Sequence, residues 1–409
     1  MYTRGPLRLL LATASLLGCG AETAAPRYLI DASAEDRAAA EPDAPTAPED
    51  AGTRDVAAPD VIEADAPPAT GACSGATPLT RELVQVAGMV RVSDGFVVAW
   101  VPYGESTARV QSFTEAFVPQ SEPLSVSLLT NGADTLSLSF VGESGVLATG
   151  SSLYFLSLGA DRRVTLTNRH DFPRRLVRFG RAVSARWFYG LIADGTFVHS
   201  NGTGMSTNTP GVPLDPPHGA GVSILSDGGG YLAFEARDTP AGRRLHVRRF
   251  IFGHGTSLEV TNRYVDEASA SPVVEFGGSL HRLVYRGARE VDVALERRDP
   301  EDLAPRGSPT LVHAGAAWSS TDGALGTGGS ELFMAWAARP AGGGYNSALR
   351  ALWEPERASA EVYRSGRDRG VHVFGAETDR AAARGWALFG ERDATGALTL
   401  LGRCVDRRR

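Results

Sequence analysis

From residue 74 onward, short apolar runs alternate with clusters of Gly, Asp, Asn and Pro, and no stretch carries the 3.6-residue period of an amphipathic helix. This is the pattern of short, regularly spaced strands. The bulkiest runs recur: Gly95–Trp100, Gly145–Ala148, Trp187–Ile192, Gly230–Phe234, Leu280–Tyr285, Glu331–Trp336 and Gly385–Phe389. These seven starts lie about 40 to 55 residues apart, which defines a repeat. A turn and a further strand follow most of them, as at Arg237–Gly242 before Leu245–Val247 and Arg392–Gly396 before Leu398–Leu401. Turns also precede two of the runs, at Ser93-Asp94-Gly95 and Ser226-Asp227-Gly228. Asp and Gly suit the positive-φ positions that tight hairpins require.

A repeat of this length, with several strands per unit, resembles the β-propeller, which uses about four strands per blade. The resemblance implies an all-β body of seven blades over residues 73–409. Glu82–Val92 is then expected to complete the last blade alongside Ala397–Val405 and so close the ring. No Trp-Asp or kelch signature assigns a subfamily. The competing arrangement is a tandem pair of β-sandwiches of about 165 residues each.

The first residues carry a different message. Arg4 and Arg8 precede the apolar stretch Leu9–Leu17, which is too short for a bilayer span of about 20 residues and matches a secretory signal core. Leu16-Leu17-Gly18-Cys19 resembles the lipobox of bacterial lipoproteins. That resemblance implies a signal peptide over residues 1–18 and a lipid on Cys19, whose acyl chains hold a soluble domain on a membrane. In that family an Asp after the cysteine retains the protein at the inner membrane. Gly20 stands there instead, which implies the outer membrane.

Residues 19–72 are rich in Ala, Pro, Asp and Glu and offer little apolar area to offset ordering entropy. They read as a disordered tether with a root-mean-square span of roughly 40 Å. Residues 20–72 hold twelve acids and three arginines, so most of the net charge of −6 belongs to the tether. With Arg4 and Arg8 set aside, the body is left near +1. A nearly neutral body gives no electrostatic argument for nucleic acid. Two cysteines remain, Cys73 at the end of the tether and Cys404 near the C-terminus. In an oxidising envelope they are expected to pair and to lock the ring shut.

Little chemistry is legible. The chain contains no lysine, which excludes a Walker A loop, a Schiff base and a Ser-Lys hydrolase. It has no His-Glu-x-x-His, Gly-x-Ser-x-Gly, Cys-x-x-Cys or calcium-loop motif, and its eight histidines have no ligand spacing. No cofactor is implied. Two arginine-rich stretches stand out, Arg174–Arg181 and Arg243–Arg249. Arg174, Arg175, Arg178, Arg244 and Arg248 form a candidate anion-binding set, since guanidinium groups hold carboxylates and phosphates in a bidentate fashion. Strand alternation would also place such arginines on an ordinary solvated face.

The expected function is a non-catalytic, lipid-anchored envelope protein that recognises a protein or glycan through a propeller face. The alternatives are an envelope carbohydrate-active enzyme, a hydrolase or lyase with paired carboxylates, and a subunit of an outer-membrane assembly.

Overall fold

The computed structural model describes Cys73 and residues 75–406, apart from 129–135, 173–175, 182–187, 193–196, 201–204, 209–220, 225–229, 241, 254–255, 266–272, 287–289, 319–322, 329–330, 339–347, 355–358, 366–369, 380–383 and 393–394. Every regular element among the described residues is a β-strand. Cys19, Arg174 and Arg175 lie outside the described residues.

The strands fall into antiparallel groups in chain order. The first holds β1 (Thr77–Val92), β2 (Gly95–Pro102), β3 (Thr107–Phe113) and β4 (Leu124–Ser127). The second holds β5 (Leu136–Val141), β6 (Ser144–Thr149), β7 (Ser152–Leu158) and β8 (Val164–Asp171). Next come β9 (Leu176–Arg181), β10 (Phe188–Ile192), β11 (Phe197–Ser200) and β12 (Met205–Asn208). A fourth sheet has β13 (Gly221–Ile224), β14 (Gly230–Thr239), β15 (Gly242–Gly253) and β16 (Thr256–Val265). A fifth has β17 (Val273–Phe276), β18 (Ser279–Arg286), β19 (Glu290–Arg298) and β20 (Thr310–Trp318). A sixth has β21 (Gly323–Gly328), β22 (Glu331–Ala338), β23 (Ala348–Glu354) and β24 (Ala360–Arg364). The chain ends with β25 (Gly370–Thr378), β26 (Arg384–Arg392) and β27 (Leu398–Asp406). The last three join the first group in one seven-stranded sheet, ordered β25-β26-β27-β1-β2-β3-β4.

That joint corrects one expectation. The segment beside β27 is the first half of β1, with Thr77 opposite Gly402 and Val84 opposite Leu398. From Val86 onward β1 pairs with β2 instead, as far as Val92 opposite Gly95. The two-residue turn Ser93-Asp94 ties Val86–Val92 to β2, so this stretch cannot also serve as the outer strand next to β27. Irregular registers between Pro78 and Leu83, and between Val84 and Val86, let one long strand serve both neighbours. The end of the tether and the end of the chain meet here. Cys73 and Cys404 are joined by a disulfide, with Cα atoms 5.1 Å apart.

All seven recurrent apolar runs fall on the second strand of a group: β2, β6, β10, β14, β18, β22 and β26. The reason is visible at β2, where every residue from Gly95 to Pro102 is buried. It is paired on both edges, and its two faces pack on different groups of strands. Phe96, Val98 and Trp100 meet Trp386, Leu388, Leu398 and Leu400. Val97, Ala99 and Val101 meet Phe140, Leu147, Tyr154 and Leu156. β22 repeats this, with Phe333, Ala335 and Ala337 packing towards β25–β26 and Leu332, Met334 and Trp336 towards β18–β19. A strand covered on both faces has no polar side, so its sequence is apolar throughout.

The first strands of the groups lie next to one another. β1 packs on β5, β5 on β9 and β9 on β13; β17 packs on β21, β21 on β25 and β25 on β1. This is the order of strands around an axis. Two facing sandwiches would not set the first strand of each sheet beside the first strand of its successor.

Candidate functional site

Where β1, β5, β21 and β25 end, a cavity of about 1000 Å³ opens. Among the described residues it is lined by the ends of those strands and by the β7–β8 loop. The chemistry-bearing groups on its wall are Arg91, Ser93, Glu143, Arg162, Thr327, Glu377, Thr378 and Asp379. Phe140 also borders it but is buried at 1% exposure, so it offers no stacking platform.

Both arginines are held by acids that stand off the cavity wall. Arg91 donates from Nη2 to Oε1 of Glu115 at 2.7 Å, and its guanidinium lies over the Trp386 ring at 4.7 Å. The Trp386 Nε1–H donates to the Glu115 carbonyl at 3.0 Å, so ring and carboxylate clamp the arginine together. Arg162 forms an ion pair with Asp94, and its Nη2 reaches Ser93 Oγ at 3.4 Å. Local sequence explains the holders. Glu115 sits in the tight loop after β3, and Asp94 in the turn after β1. Held guanidinium groups present fixed donors to whatever enters.

Other ionisable groups belong to the packing. Glu296 accepts from Arg298 Nη2 at 2.6 Å and from Arg282 Nε. Burial alone would raise the Glu296 carboxyl, but the hydrogen bonds and charges of these two arginines outweigh it and hold the group low. His281 on the same sheet is also buried, with the Phe276 ring 5.6 Å away edge-on. Burial, with Arg297 nearby, pushes the His281 imidazole down to about 4. The unfolded chain therefore binds the extra proton first. Stability contributed by the neutral ring is full above pH 6.5 and is lost as the pH falls to 4. The loss is up to about 3 kcal/mol, since one pKa unit is worth about 1.4 kcal/mol. Thermal melts from pH 7 to pH 4 should show this decline, and His281→Gln should flatten it. A slope that His281→Gln leaves unchanged would assign the decline to other groups.

Among the described residues, the arginines expected from sequence are placed on strands other than those whose ends line this cavity. Arg178 is on β9 opposite Leu191, and Arg244 and Arg248 are on β15 opposite Arg237 and Ala233. Arg91 and Arg162 escaped sequence reasoning because each stands among ordinary strand and turn residues. The one signal is the turn chemistry around them, Ser93-Asp94 and Gly159-Ala160-Asp161. No group of three or more His, Cys, Asp or Glu able to hold a metal occurs among the described residues.

No protein-family profile matches the chain, and no curated protein matches it. Among solved structures it is similar to the β-propeller domain of Cps50 (Swd1) from Myceliophteria thermophila. The TM-score is 0.50 at 9% identity, over 80% of this chain and 98% of that domain. The body is a β-propeller. At that identity the likeness concerns the fold alone. The antiparallel sheets with neighbouring first strands are its blades, and the cavity lies at one end of the propeller, where β1, β5, β21 and β25 stop.

Proposed function

We propose that this chain is a lipid-anchored recognition protein of the bacterial cell envelope, and that the cavity receives a segment of a partner protein. On this reading the propeller has seven blades, the last built from β25, β26, β27 and the first half of β1. The lipid on Cys19 and the acidic tether hold it at the outer membrane. It binds without turnover. The observation that carries the reading is the cavity itself. Its volume is within the range of ligand sites, and its two guanidinium groups are clamped in place by Glu115 and Asp94. A polypeptide fits this wall better than a glycan. The wall supplies charged and hydrogen-bonding groups without an exposed aromatic ring among the described residues.

A photo-reactive amino acid placed at Thr327, on the cavity wall, is expected to give a discrete adduct in intact cells. One placed at Tyr103, in the β2–β3 turn at the other end of the strands, is expected to give none. Equal adducts from both positions, or none from Thr327, would remove the cavity from recognition. An adduct that protease leaves intact and glycosidase dissolves would make the partner a glycan.

A further inference from the structure

Among the described residues three non-glycine residues have left-handed backbones: Phe117 (φ 61°), Arg162 (φ 64°) and Leu303 (φ 60°). All three occupy the same place, the loop joining the third strand of a blade to its fourth. The loops share a hydrogen-bond pattern. The amides of Phe117, Arg162 and Leu303 donate to the carbonyls of Thr114, Gly159 and Asp299, three or four residues earlier. An L-residue is strained in this region and stays there only when its surroundings hold it.

For Phe117 and Leu303 the compensation is burial, at 2% and 0% exposure. Phe117 stacks on Phe96 at 5.2 Å and covers Gly402, where a Cβ would come within 2.6 Å of its ring. Arg162 gains nothing of the kind. Its side chain is 26% exposed on the cavity wall. It is held by polar contacts instead. The buried Ser112 hydroxyl donates to its carbonyl at 2.5 Å, and Asp94 and Ser93 hold Nη2. Its Nε and Nη1 have no hydrogen-bond partner among the described residues.

We infer that Arg162 is the group that reads the partner, and that it takes an isolated carboxylate on a peptide segment. The inference rests on the cavity being the recognition site. A rigid guanidinium with unused donors matches a carboxylate in geometry and charge. Glu143, Glu377 and Asp379 on the same wall repel a polyanion, so a single carboxylate suits the site better than a run of them.

The test measures fluorescence anisotropy on the full chain with three labelled, end-capped peptides: one with a single Glu among Ala and Gly, its Gln counterpart, and tetraglutamate. The Glu peptide should bind about tenfold tighter than the Gln peptide, and tighter than tetraglutamate. Arg162→Gly should erase that preference. Because glycine accepts positive φ, the same variant should keep its Tm or gain up to about 2 °C. A Tm loss of about 4 °C or more in Arg162→Gly would make Arg162 a structural ion-pair residue and overturn the inference. Equal binding of the Glu and Gln peptides, or tetraglutamate binding best, would also overturn it. The recognition reading fails separately, through the Thr327 adduct, so a persistent adduct without a Glu preference removes only the role of Arg162.

Discussion

Deletion of residues 73–84 should abolish the cooperative unfolding of the propeller. Thr77–Val84 is the strand beside β27, and through the rest of β1 it joins the last strands of the chain to the first. Removing it bares the edge of β27 and its unpaired amides. Two buried side chains are lost with it, Leu79 at 5% and Val84 at 0% exposure, each worth about 1.5–3 kcal/mol when fully buried. The disulfide goes too. Its cysteines are 331 residues apart in sequence. A loop that long contributes about 6 kcal/mol in the chain-entropy account, and engineered bonds deliver less. The double variant Cys73→Ser/Cys404→Ser separates the two effects, because it keeps the strand. It should lower Tm by about 3–8 °C while the transition stays cooperative. Denaturant melts followed by far-ultraviolet circular dichroism and tryptophan fluorescence would decide. A deletion variant with a single transition within a few degrees of the parent would show that the blade closes without this strand.

Trp386→Ala should cost about 3–5 kcal/mol, the range for truncating a large buried aromatic. In a domain of this size that is a fall of about 4–7 °C in Tm. Trp386 has 0% exposure and packs edge-on to Phe96 at 5.3 Å. It also carries the cavity clamp, since Arg91 lies over its ring and its Nε1–H fixes Glu115. The variant should therefore lose the Thr327 adduct as well as stability. Trp386→Phe keeps most of the packing but removes the bond to Glu115, and should cost about 1–2 kcal/mol. If Trp386→Ala melts with the parent, the contact between the first and last blades is not where the fold draws its stability.

The fold was largely legible because its signal is local. A second strand is covered on both faces and paired on both edges, so its requirement is written into four to eight consecutive residues. Gly95–Trp100 and Gly385–Phe389 show that requirement directly. The pairing of Cys73 with Cys404 was legible for a related reason, since only two cysteines remained after Cys19. The extent of the closing strand was not. Glu82–Val92 has strand character throughout, and a period of two cannot say at which residue a strand changes partners.

By itself, then, the amino-acid order determined an all-β repeat, the recurrent apolar run of each unit, and the cysteines that would meet. All of these follow from hydrophobic burial and turn chemistry within short windows. Only the tertiary structure decided the site. Arg162 and Asp94 are 68 residues apart, and Trp386 lies 271 residues from the Glu115 carbonyl it fixes. The cavity exists because first strands from distant parts of the chain end together. A charge on a strand terminus looks the same in sequence whether it faces solvent or that cavity, because its environment is made by blades that are remote along the chain.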